Sequence, residues 1–186
     1  QEDSPYFIAS VTKLCITIVY MRLIDEKLLT LDDPISRYLP QEWMQGLHVL
    51  KGREHSQEIT IRHLISNTSG LPDYFFHKQA DGQSAASRLL SGHDDVWPLE
   101  RTIETIRQLR PNFYPGKKGK AVYSDTNYQI LGYIIEKITG MTVGEVFREM
   151  IFDPLGLKHT YAYQDVNDTT PAPFYYKTQK LWLPNY

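Results

Sequence analysis

A mainly helical fold is what this sequence predicts, and three observations carry the expectation. Apolar residues recur at helical spacing, most plainly at Ile130, Leu131, Ile134, Ile135 and Ile138. Start and stop signals bracket such stretches, with Gly140 closing one helix and Thr142 with Glu145 forming a capping box for the next. There is no series of Val/Ile-rich runs of five or more residues bounded by turns, so strand content is expected to be low.

The first helix starts in FIASVTK, Phe7 to Lys13, and runs into LCITIVYMRLI, Leu14 to Ile24, where only Thr17 and Arg22 interrupt the apolar residues. A helix apolar on nearly every side is expected inside a protein, here over roughly residues 10–27. Its apolar run is about half of what a bilayer crossing needs, and no basic-then-apolar leader precedes it, so no membrane segment is expected. Asp33 then reads as an N-cap and Pro34 as the first residue of a short helix ending near Pro40. Residues 41–58 read as a polar surface excursion, apart from Trp43, Met44, Leu47, Val49 and Leu50.

Thr60 is expected to cap a short helix through Ile65, followed by a turn at Ser69, Gly70, Leu71 and Pro72, with His63 in a structural role. Between Phe75 and Val96 the polar composition predicts a loop carrying one weak helix at Ala85 to Leu90. Pro98 opens a helix with Leu99, Ile103 and Ile106 on its apolar side, which closes before Pro111. NFYPGKKGKAVYSDTNY is a turn-rich approach to the helix that Gly140 ends, and its Lys117, Lys118 and Lys120 read as a solvated loop. The helix after Thr142 carries Val146, Phe147, Met150 and Ile151 and stops before Pro154. Residues 33–155 thus form a helical region, and 156–186 an irregular tail with an extended piece at Lys180 to Leu183.

Composition narrows the function classes. Hydrophobic residues at 41 % and charged residues at 23 % of 186 residues describe a soluble globular domain with a real core. Lys+Arg 20 against Asp+Glu 22 gives no electrostatic case for nucleic acid or anionic membrane as partner. The single cysteine, Cys15, excludes an internal disulfide framework and reads as a small core residue. The six histidines show no H-x-x-x-H or H-E-x-x-H spacing, and no glycine-rich phosphate loop is present, so neither a metal nor a cofactor is expected.

Two stretches carry chemical promise. Spacing of three places Ser10 and Lys13 on one helix face, a nucleophile beside a candidate base, and burial is expected to lower the lysine pKa. An S-x-x-K is also expected about once by chance in a chain of this length. A lysine entering an apolar helix, however, needs a reason. In VYSDTNY, Asp125 or Thr126 would serve as a helix cap, or Tyr123 would shuttle a proton beside a lysine.

Taken together these stretches resemble the serine β-lactamase and penicillin-binding-protein-like superfamily, in its class C β-lactamase, DD-peptidase and esterase branch. Ser10-Val11-Thr12-Lys13 looks like the S-x-x-K element, Tyr123-Ser124-Asp125 like the Y-x-N element, and LLTLDDPISRYLP, ITIRHLISNTSGLPDY, DTNYQILGYIIEKITG and FDPLGLKHT are similar to segments of that branch, in order from Phe7 to Thr160. The resemblance implies a β-lactamase/transpeptidase-like α/β fold, of which this chain is the serine helix and the helical region, a single incomplete domain with most of the antiparallel sheet missing. It implies a serine hydrolase acting through an acyl-enzyme on amide, ester or lactam bonds. Lys13 and Tyr123 would share the proton transfers, Asp125 would hold substrate and lysine, and the Ser10 N–H would be half of an oxyanion hole.

The expected partner is a small-molecule or peptide substrate, the expected location periplasmic or extracellular, and no oligomeric state follows from the sequence. Two departures shape the expectation. Asp125 stands where the motif has asparagine, which favours charged Lys13 and removes a hydrogen-bond donor for a β-lactam side-chain amide, tilting the reading to peptidase or esterase. The K-T-G or H-x-G strand element does not occur before Tyr186, which motivates the alternative of a non-catalytic homologue or helical module that binds peptides or cell-wall fragments.

Overall fold

A computed structural model describes residues 5–79, 81–93, 96–163, 170–172, 174–176 and 179–181. A 3₁₀ turn, Ala9–Val11, leads into α1 (Thr12–Asp25). Then follow α2 (Gln41–Met44), α3 (Ile61–Ile65), α4 (Ala85–Leu90), α5 (Leu99–Arg107), α6 (Asp125–Thr139) and α7 (Val143–Phe147), which continues as a π-helical turn, Arg148–Phe152. Among the described residues the strands form two antiparallel pairs, β1 (Val49–Leu50) with β2 (Arg53–Glu54) and β3 (Phe174–Tyr176) with β4 (Gln179–Leu181). The predicted extended piece begins in β4, and Leu183 lies outside the described residues.

Helix α6 is the axis of the core. Its buried Ile130, Leu131, Ile134 and Ile135 meet α1, α3, α5 and α7, which pack around it. The Tyr20 hydroxyl of α1 crosses this interface and donates to the Leu131 carbonyl at 2.9 Å, so a phenol can be fully buried without an orphaned donor. Local signals behave as the sequence predicts where they act over three or four residues. Thr60 caps α3 through the His63 N–H while the Thr60 N–H donates to His63 Nδ1, and Thr142 with Glu145 does the same for α7. Gly140 ends α6 at φ +70°, a left-handed conformation that glycine adopts without a Cβ penalty. No helix among the described residues is long and apolar enough to cross a membrane.

Three expectations are corrected. Helix α1 is not enclosed: Ile16, Val19, Tyr20 and Leu23 form its buried stripe, whereas Leu14 is 60 % exposed and Val11, Ile18 and Met21 are exposed with it. Apolar residues on two faces do not say which face is covered, and only the side toward α6 and α7 is packed among the described residues. The helix expected from Pro34 to Pro40 shrinks to one 3₁₀ turn, Ile35–Arg37. Asp33 does not cap it, because its carboxylate turns back to accept from the Thr30 N–H at 3.2 Å, the Thr30 hydroxyl at 2.8 Å and the Tyr38 hydroxyl at 2.6 Å. Those bonds, the Tyr38 one foremost, hold the Asp33 carboxyl below the usual range.

Residues 41–58 are largely exposed as expected, but not at His48 and Ser56. Met44, Leu47 and Leu50, the apolar exceptions, are buried, and so are the polar His48 and Ser56. His48 donates its backbone N–H to Ser56 Oγ at 2.8 Å and its Nε2–H to the Phe113 carbonyl at 2.9 Å. Burial also lowers the His48 pKa, which suits a neutral ring donating to a carbonyl.

Candidate active site

The chain reaches Ser10 through Ala9, whose φ of +45° turns the backbone at the first residue of the 3₁₀ turn. A 3₁₀ turn repeats every three residues, which stacks the Ser10 and Lys13 side chains on one side. Lys13 Nζ donates to Ser10 Oγ at 3.1 Å, as the spacing of the two residues suggests. The third group comes from 113 residues away: Tyr123 Oη lies 2.8 Å from Ser10 Oγ. Tyr123 in turn donates to Asp125 Oδ1 at 3.2 Å, and the same oxygen pairs with Lys13 Nζ at 2.5 Å.

The proton directions follow from the inventory of donors. An ammonium only donates and a carboxylate only accepts, so with the Tyr123 proton on Asp125 the Ser10 hydroxyl donates to Tyr123 Oη. Ser10 Oγ is therefore bracketed by an amine and a phenol, the two kinds of group that can take a proton from it. Lys13 Nζ also sits 5.2 Å from the Tyr123 ring centre and 5.4 Å from that of Tyr128, so two aromatic faces add to its surroundings.

Of the two influences expected on Lys13, burial lowering its pKa and Asp125 favouring its charged form, the second prevails and the downward shift does not. Burial is the largest single influence and does pull the amine down. Hydrogen bonds to Asp125 and Tyr123 and the Asp125 charge together outweigh it, and the Lys13 pKa lies above its ordinary value of 10.5. Both act on the ammonium: burial disfavours it, and the carboxylate 2.5 Å away favours it.

Helix α6 positions the tyrosine motif, and its start departs from the sequence reading. Neither Asp125 nor Thr126 is the cap: Ser124 occupies that position without a side-chain cap bond, and the Asp125 N–H donates to Asp73 Oδ1 at 2.8 Å. The cap is thus supplied by another segment. The Phe76 N–H also donates to Asp73, yet burial dominates and pushes its carboxyl up. The Ser124 and Thr126 hydroxyls donate to the Pro72 carbonyl at 3.1 and 2.8 Å. Ser69 Oγ donates to Asn127 Oδ1 at 2.8 Å, and Asn127 Nδ2 donates to Asn67 Oδ1 at 3.0 Å.

Residues 67–74 and 122–127 are therefore clasped along their length. Gly70 allows a separate close approach, to the backbone at Phe113: at φ +77°, a Cβ there would lie 2.0 Å from the Phe113 carbonyl oxygen. Asn67, Ser69, Asp73 and Asn127 were not singled out from the sequence. For the first three the signal was the density of Asn, Ser and Asp in SNTSGLPD, side chains that readily bond backbone groups, but nothing local named their partners.

The Beta-lactamase family profile matches residues 1–184. A candidate D-alanyl-D-alanine carboxypeptidase of Salmonella agona strain SL483 is 31 % identical over 159 residues, which is 85 % of this chain and 34 % of that protein. Among solved structures, EstCE1, a hydrolase with promiscuous acyltransferase activity, is similar with a TM-score of 0.73 at 28 % identity, over 97 % of this chain and 46 % of the other. A D-stereospecific amidohydrolase from a Streptomyces species is similar with a TM-score of 0.66 at 28 % identity, over 83 % of this chain and 43 % of the other. The chain spans about a third of the length of that curated relative and under half of the two solved chains.

Proposed function

The chain belongs to the Beta-lactamase family, and on that premise we propose that it carries the nucleophile and proton-transfer groups of a serine hydrolase. The observation that supports this most is the junction at Ser10 Oγ, which touches Lys13 Nζ at 3.1 Å and Tyr123 Oη at 2.8 Å. A protein that only binds peptides or cell-wall fragments has no use for a hydroxyl flanked by both. The relatives named for carboxypeptidase, acyltransferase and amidohydrolase activity share acyl transfer as their common chemistry.

In the proposed cycle Ser10 Oγ attacks the carbonyl carbon of an ester, amide or lactam. Lys13, in its neutral form, accepts the hydroxyl proton as the new C–O bond forms, and the Ser10 N–H steadies the oxyanion. Tyr123 then delivers a proton to the departing oxygen or nitrogen, the C–O or C–N bond breaks, and the acyl group stays on Ser10. Water attacks the acyl-enzyme with the same groups acting in reverse, which regenerates the hydroxyl. Asp125 holds Lys13 in place and faces the substrate as an acceptor, a character that suits a peptidase or esterase better than recognition of a β-lactam side-chain amide through its carbonyl.

The test is intact mass after the protein is exposed to a fluorophosphonate and, separately, to a penicillin. One adduct, mapped to the peptide that carries Ser10, is expected with at least one reagent. A folded protein that takes up neither would overturn the proposal.

A pH dependence follows from Lys13. Its pKa is raised above 10.5, so the neutral fraction is small at pH 7, and the acylation rate should climb about tenfold per pH unit toward that value. The same shift stabilises the fold below the unfolded value of 10.5, and that contribution is lost as pH rises through the folded value. Asp125→Asn removes the partner that holds the proton and leaves burial, the largest influence, to lower the amine. The rising limb of the single-turnover acylation profile then moves to lower pH and the rate at pH 7 increases. Superimposable profiles for the two proteins would exclude Lys13 as the base.

A further inference from the structure

Tyr123 is 47 % exposed, so packing does not fix its ring in front of Ser10. Its position is set by the backbone on either side, and both sides lead to one residue. The Asn67 carbonyl accepts the Val122 N–H at 3.0 Å, while Asn67 Oδ1 accepts the Ser124 N–H at 3.2 Å and the Asn127 Nδ2–H at 3.0 Å. Asn67 thus grips the chain immediately before and immediately after Tyr123. It reaches both because its own backbone is left-handed, at φ +55°, a conformation that asparagine tolerates better than most residues. It is itself tied to α3, its N–H donating to the Leu64 carbonyl at 3.1 Å.

We infer that Asn67 is a positioning residue for Tyr123: the amide oxygen and the left-handed backbone together hold the phenol at hydrogen-bond distance from Ser10. The inference rests on the proposed acyl-transfer chemistry for its kinetic consequence, though the geometry it concerns exists without it. Bonds from Ser124 Oγ to Pro72 and from the Asp125 N–H to Asp73 secure the side of Tyr123 that enters α6. The Asn67 carbonyl holds the opposite flank at Val122 and its amide oxygen holds the Ser124 N–H directly after Tyr123, so loss of the amide loosens the tyrosine where it enters α6 while Lys13 and Asp125 stay paired.

Asn67→Gly tests this without backbone strain, since glycine takes the left-handed conformation freely and only the amide is lost. Asn67→Asp keeps an acceptor oxygen and tolerates the same φ. For the protein acting on an amide substrate, kcat should fall roughly 10- to 100-fold in Asn67→Gly with KM little changed, because misplacing a reacting group by an ångström costs on that order. Asn67→Asp should recover most of that loss.

A purely structural asparagine would lower the melting temperature and leave kcat per folded molecule intact, and that result would overturn the inference while leaving the acyl-transfer reading in place. If the parent protein takes no acyl group on Ser10, the reading fails, and a crystal structure of Asn67→Gly decides the inference instead. Tyr123 Oη displaced from Ser10 Oγ supports it, and Oη retained at hydrogen-bond distance overturns it.

Discussion

Ser10→Ala should lower substrate turnover by about 10⁴-fold or more, the scale on which loss of an acyl-accepting serine acts when its partners remain. The substitution removes the one atom that Lys13 Nζ and Tyr123 Oη both touch, so neither group has a proton to take. Ser10 lies in an exposed turn with no buried residues, and the fold should survive with its melting temperature and circular dichroism intact. Hydrolysis of a p-nitrophenyl ester and intact mass after fluorophosphonate treatment read the effect together. An alanine variant that keeps wild-type turnover, or that still carries the adduct, would place the nucleophile elsewhere.

Tyr123→Phe has the second largest expected effect and is the more informative of the two, because its size depends on the leaving group. The ring stays while Oη is lost from its place 2.8 Å from Ser10 Oγ and 3.2 Å from Asp125 Oδ1. A group that donates a proton in the transition state contributes about 10²- to 10⁴-fold. An amide nitrogen cannot leave unprotonated, so amide hydrolysis should fall by that full range. A p-nitrophenolate leaves without help, so the ester should lose far less. Equal losses on the two substrates would mean that Tyr123 does not deliver the leaving-group proton, and no loss on either would remove it from the mechanism.

What the sequence made legible divides by the distance over which each interaction acts. The caps at Thr60 and Thr142, the stop at Gly140 and the apolar faces of α5 and α6 were readable because their determinants lie within one or two turns of the element they control. The pairing of Ser10 with Lys13 was readable for the same reason, being a spacing of three. The meeting of that pair with Tyr123 was reached only through the order of several motifs along the chain, because no periodicity links residues 113 apart.

Elsewhere, local rules pointed the wrong way where a distant partner took over. Asp33 looked like a cap and instead folds back on Thr30 and Tyr38. His48 and Ser56 looked like surface residues and are buried because each satisfies the other or a far carbonyl. The start of α6 is capped by Asp73, more than 50 residues upstream, a role that no window around Ser124 could reveal. Lys13 is the electrostatic counterpart: burial alone argues for a depressed amine, and the sign is set by a carboxylate 112 residues later, whose effect was legible only once the motif resemblance placed Asp125 beside it.

The clasp between residues 67–74 and 122–127 has a consequence for the order of events during synthesis. Ser10 and Lys13 leave the ribosome first, and Tyr123 follows only after more than a hundred further residues. Contacts of such long sequence separation form late, since the intervening chain must be ordered before they can close. The growing polypeptide therefore carries Ser10 without its phenol neighbour, and on the proposed chemistry reactivity would arise only with the completed tertiary structure.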